Sequence, residues 1–163
     1  MPFLLLLLLL APSFAGALDL PDGRILRLRA FTPAGHAEGL PARAQWRAAN
    51  PGNYAYRLQR QCYCPRPLDT RVYVVHNRVV AAEDLKTGET ITNPATLRAF
   101  HPIEGYFKLL DTNWQRQPAV FEVRHHRRYG FPERIFIDPA YNVADDEVEI
   151  HIGELRGLAI SGT

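Results

Sequence analysis

The chain has 163 residues, 47% of them hydrophobic, with 19 basic and 17 acidic side chains and a formal net charge of +2. That hydrophobic content argues against an intrinsically disordered chain. The scattered basic residues, nearly all arginine, form no stripe interleaved with aromatics and give no support to nucleic-acid binding. The charge is unevenly placed, with 18 basic and 11 acidic side chains in residues 18 to 134 but 1 basic and 6 acidic beyond them. Such asymmetry points to internal complementarity or solubility before a partner site.

Met1-Pro2-Phe3 leads into seven consecutive leucines, Leu4 to Leu10, then Ala11-Pro12-Ser13-Phe14 and the small-x-small triplet Ala15-Gly16-Ala17. A short apolar core, a helix breaker and small residues in that order predict a secretory signal over residues 1–17. The run is too short for a spanning helix, which takes roughly 20 residues. No cysteine near the triplet supports a lipid anchor, and an uncleaved anchor is the competing reading. The expected compartment is periplasmic or extracellular, with no membrane span once the signal is removed. The remaining 146 residues suit a single domain, expected as an arm (18–39), a domain (40–155) and a flexible tail (156–163).

Thr32-Pro33 reads as a helix start. The helical signal to Ala49 is interrupted by Gly35, Gly39 and Pro41, and is strongest from Ala42 to Ala49, with Trp46 on the apolar side. Asn50-Pro51-Gly52-Asn53 stops it. Residues 54 to 64 alternate, with Tyr54, Tyr56, Leu58, Cys62 and Cys64 on one face, which predicts a half-buried strand ended by Pro65 and Pro67. Arg71 to His76 and Val79 to Asp84 predict a hairpin across Asn77-Arg78. Asn93-Pro94 opens a second helix, whose face is marked by Leu97, Phe100, Ile103, Phe107 and Leu110; Pro102 and Gly105 are places where it kinks or restarts. Strands follow over Ala119 to His125, Glu133 to Asp138 and Glu147 to about Ile152, with a loosely held tail after Gly153. The expected fold is α+β in the order α-βββ-α-βββ: an antiparallel sheet of about five or six strands with two helices on one face.

Two blocks in this order, Trp46…Asn50…Tyr54-x-Tyr56-x-Leu58…Cys62-Tyr63-Cys64-Pro65 and Tyr129-Gly130-Phe131-Pro132-x-x-Ile135-x-Ile137-Asp138 followed by Ala144-Asp145-Asp146-Glu147, resemble a family of bacterial secreted or lipoprotein domains of unknown function. The resemblance covers about residues 40 to 152. It implies an extracytoplasmic, compact α+β domain and carries no catalytic or binding residues with it.

Cys62 and Cys64 are the only cysteines, and in an oxidising compartment such a pair is expected to form a disulfide. In an ideal strand their Cα atoms would lie roughly 6.5–7 Å apart, against the usual 5.5–6 Å or so of a disulfide, so a bend must shorten the span. Two buried thiols, or a redox or soft-metal pair, are the alternatives. Asp138, Asp145, Asp146 and Glu147 form an acidic stretch with the oxygen ligands calcium prefers, but without a calcium-loop spacing; a turn with solvated acids, paired with Arg127, Arg128 or Arg134, is the plainer reading. The six histidines lack a metal-ligand spacing, and adjacent His125 and His126 point to opposite faces of a strand. Tyr54, Tyr56, Tyr63, Tyr129 and Phe131 make a binding surface only if they are exposed together. No serine triad and no phosphate-cradling glycine loop is present, and no cofactor is indicated. The expectation is a non-enzymatic envelope or extracellular binding or structural module, with an unknown protein or envelope component as partner. A thiol-redox or soft-metal protein and a calcium-dependent module are the alternatives.

Overall fold

The computed structural model describes residues 18–19, 25–26, 34–63 and 68–159. The signal segment, the Thr32-Pro33 helix start, and Cys64 with Pro65 and Pro67 lie outside them. Two units are distinguished, Met1–Thr32 and Pro33–Thr163. In the first, Leu18–Asp19 (β1) and Ile25–Leu26 (β2) pair antiparallel.

The second unit opens with one helix, α1 (Ala34–Ala49), which runs unbroken through Gly35, Gly39 and Pro41. Proline inside a helix removes one backbone bond and crowds the preceding turn, but packing outweighs local propensity here. Ala42 and Trp46, one turn apart, are buried and fix the helix beyond the proline.

The strands are β3 (Tyr54–Cys62), β4 (Leu68–Val75), β5 (Arg78–Asp84), β6 (Thr90–Ile91), β7 (Val120–His125), β8 (Pro132–Asp138) and β9 (Val148–Gly157). They form one antiparallel sheet in the order β6-β5-β4-β3-β9-β8-β7. The α+β class holds, with seven strands in place of five or six, the short β6 being added to an edge. Among the described residues three helices stand in place of two, because α2 (Pro94–Leu97) and α3 (Ile103–Gln115) are separate. Asn93 caps α2 by accepting from the Ala95 amide. Pro102 then forces extended backbone before α3 begins.

The β4–β5 turn is one residue earlier than expected. His76 and Asn77 take φ of 49° and 58° between the paired Val75 and Arg78, the geometry of a two-residue turn that matches strand twist. The C-terminal strand runs past Ile152 to Gly157, which pairs with Tyr54, and Leu158 donates to the Asn53 carbonyl. The segment after Gly153, expected as a loosely held tail, is thus paired strand, with a register shift against β3 and a bulge where Glu154 has φ 48°.

One core lies between sheet and helices. Tyr54, Tyr56, Leu58, Val72, Val74, Ile135, Ile137, Ile150 and Ile152 join Trp46 of α1, Leu97 of α2 and Ile103, Tyr106, Phe107 and Leu110 of α3 in a single cluster. A side chain such as Ile135, fully removed from water, contributes about 1.5–3 kcal/mol. The Tyr129-Gly130-Phe131-Pro132 turn is clamped onto α1. Gly130 has φ 75°, and a Cβ there would come 2.2 Å from the Ala42 carbonyl oxygen, so only glycine fits. Phe131 then meets Trp46 edge-on.

The alternate residues form the open face, where charges pair in rows. Arg57 bonds both oxygens of Asp69 at 2.8 Å and Glu154 at 2.9 Å. Arg71 reaches Glu83 and Glu154, Arg134 reaches Glu122 and Glu149, and Arg124 reaches Glu133.

Candidate functional site: the groove between α1 and α3

Glu104, in the first turn of α3, is the hub of the helix side. Its Oε1 accepts from the Trp46 indole nitrogen at 3.0 Å and from the Asn50 amide at 2.6 Å, and its Oε2 accepts from the Tyr54 hydroxyl at 3.3 Å. A helix N-terminus favours negative charge at that position. Tyr54 also serves the helix itself. Pro102 offers no side-chain cap, and the Tyr54 hydroxyl accepts from the Ile103 amide at 2.9 Å, one of the otherwise unpaired first-turn donors. Tyr56 donates to the His101 carbonyl, and its hydroxyl lies 3.5 Å from that of Tyr106. Burial raises the pKa of Tyr54 and of Tyr56 well above the usual phenol range and pushes that of Tyr106 up to about 12. All three therefore remain protonated at neutral pH.

Outside this hub, α1 and α3 enclose a groove. α1 contributes Arg43, Trp46 and Arg47, α3 contributes Glu104, Phe107 and Lys108, and the β4–β5 turn contributes Asn77. The spacings of three and four bring these side chains to one face of each helix. Arg43 is already engaged. It donates to Asp111 at 2.7 Å and to the Phe107 carbonyl at 2.9 Å, and lies over the Phe107 ring. Arg47 and Lys108, both exposed, have no carboxylate partner among the described residues, and Glu104 has no cationic one. Three cations and one carboxylate thus line the groove, and of these Arg43 alone has an ion-pair partner among the described residues.

The residues singled out in the sequence fall elsewhere. Tyr54, Tyr56 and Phe131 are 0%, 0% and 1% exposed, which removes them from any surface; the helices cover the face the alternation assigned them to. Tyr129 is half-buried and stacks with His126. Tyr63 is exposed at the end of β3. It shares a shallow cleft with Cys62, Gln61, Phe136, Asp145, Glu147 and Glu149, so the two cited acids and the cysteine strand end do meet. Asp138 accepts from the Ala140 amide, a turn-forming bond, and does not line that cleft; nor does Asp146. Among the described residues no three His, Cys, Asp or Glu side chains come together to hold a metal. His126 instead accepts through Nδ1 from the Arg128 and Tyr129 amides at 3.2 Å. Of the arginines expected to meet the acidic turn, Arg134 pairs with Glu122 and Glu149.

Glu104, Arg43, Arg47 and Lys108 were not singled out by the sequence. The available signal was an acid set beside Ile103 on the apolar face of the second helix, one turn before Lys108.

A family model described as a family of unknown function, DUF6174, matches residues 39–157. No curated protein and no solved structure matches the chain. Among the described residues, no helix is long and apolar enough to cross a membrane.

Proposed function

Since the chain belongs to DUF6174, a family of unknown function, we propose from its geometry that it is an exported, non-enzymatic binding domain whose ligand seat is the groove between α1 and α3. The observation that carries this reading is a set of charges that have no counter-charge among the described residues: Glu104, Arg47 and Lys108. The Glu104 carboxylate is fixed by three neutral donors, beside Arg47 and Lys108 in the same groove. A concave site with a few convergent polar groups is where small ligands bind.

Export rests on the Leu4–Leu10 run and the Ala15-Gly16-Ala17 triplet. It predicts a mature mass beginning at Leu18 after expression in a bacterium, whereas a full-length mass counts against it. The same spectrum, taken after alkylation with and without reduction, tests a Cys62–Cys64 disulfide as a pin at the end of β3. Labelling of both thiols without reduction favours the redox or soft-metal alternative. A melting shift between calcium and chelator favours the calcium-dependent one.

The groove is tested by ligand-observed NMR with mixtures of small polar molecules, comparing the wild type with Arg47→Glu and Lys108→Glu. Binding lost in both variants supports the groove. Binding retained in both places the ligand elsewhere and overturns the reading.

A further inference from the structure

We infer that the groove takes a small zwitterion of the α-amino-acid class, its ammonium against Glu104 and its carboxylate between Arg47 and Lys108. The inference rests on the groove being the ligand seat, and it follows from which charges remain open. A Glu and a Lys four residues apart on a helix ordinarily support each other. Here Glu104 is turned to Trp46, Asn50 and Tyr54 and makes no ion pair with Lys108. The groove therefore keeps a negative pole at Glu104 and a positive pole at Arg47 and Lys108, with both poles unneutralised among the described residues.

A simple anion would satisfy the arginine and lysine but would bring like charge toward Glu104. A simple cation would satisfy Glu104 but would face Arg43, Arg47 and Lys108. A molecule carrying both charges a few bonds apart answers both poles. The Asn77 side-chain amide, which also lines the groove, adds an NH2 donor group and a carbonyl acceptor. The Glu104 pole is preorganised, because three hydrogen bonds hold the carboxylate before a ligand arrives, which lowers the ordering cost of binding.

The test uses the mature chain and titration calorimetry with each of the twenty common L-amino acids, followed by the tightest binder against its own decarboxylated amine and its own deaminated acid. The expected result is that the zwitterion binds at least about tenfold more tightly than either half, since each charged hydrogen bond lost is worth about that factor. Lys108→Gln and Arg47→Gln should each weaken it about tenfold with an unchanged melting temperature. These exposed positions test the positive pole without disturbing the hub. If the acid alone binds as well as the zwitterion, or the amine alone does, the inference falls while the groove still stands as a site for an anion or a cation. If no amino acid binds, the inference falls, and the separate comparison of charge-reversed variants decides whether the groove falls with it.

Discussion

The two sides of the sheet treat charge in opposite ways. On the open face Arg57, Arg71, Arg124 and Arg134 each meet carboxylates on neighbouring strands, so the surface is electrostatically closed on itself. On the helix side, Glu104 spends its hydrogen bonds on neutral groups, and Arg47 and Lys108 are left without a carboxylate among the described residues. Charges that already have partners keep a sheet soluble and its edges apart. Charges fixed in place without counter-charges are what a ligand can use. The same side also holds the core, so the polar hub that the proposed ligand would meet is also part of what joins α1 and α3 to the sheet.

The largest effects should come from the helix side. Trp46→Ala removes a fully buried ring, its edge contacts with Tyr54 and Phe131 and its bond to Glu104. Chemical denaturation should show a loss of about 3–5 kcal/mol; a loss under about 1 kcal/mol would mean the hub is not what joins α1 to the sheet. Glu104→Gln keeps the shape but replaces an acceptor with a donor next to Tyr54. It should cost about 1.5–3 kcal/mol, and a neutral outcome would separate the carboxylate from stability altogether.

A pH profile sharpens the contrast. Burial, with Arg60 nearby, lowers the His101 pKa below its ordinary 6.5. The unfolded chain therefore takes up its proton first as pH falls through 6.5, and stability should decline from pH 7 toward 5. His101→Gln, which keeps the carbonyl that accepts from Tyr56, should flatten that decline; an unchanged slope would exclude His101 as its source. On the open face, hydrogen bonds from Arg57 depress Asp69 and Glu154, and one from Arg134 depresses Glu149. Their contribution is present above about pH 4.5 and is lost only as pH falls below it. The smallest effect belongs here. Arg134→Gln should cost under about 1 kcal/mol, because partly exposed pairs are screened by water, and a loss rivalling that of Trp46→Ala would end the distinction between the two sides.

Much of the fold was legible because it is written in short-range pattern. The period of two in Tyr54-x-Tyr56-x-Leu58 and the spacing of Ile103, Phe107 and Leu110 both identify the buried face correctly. What local pattern could not supply was the partner across the core. Nothing near Glu104 says that Trp46, Asn50 and Tyr54, at least 50 residues away, will converge on it. For the same reason the aromatics suggested a surface: alternation assigns side chains to a face but does not say that helices will cover it. Pro41 and Gly39 argued for a broken helix, and burial of Trp46 overrode them. The turn slipped by one residue because His76 joins Asn77 in the left-handed region, which His and Asn enter more readily than Arg78 does.

The most direct test of the charged groove as ligand seat is a map of backbone amide shifts on titrating the mature chain with the tightest-binding amino acid. The perturbed amides should cluster at residues 43–50, at 77 and at 103–108. Perturbations gathered instead at the Cys62 end of the sheet, or along the open-face strands, would contradict it.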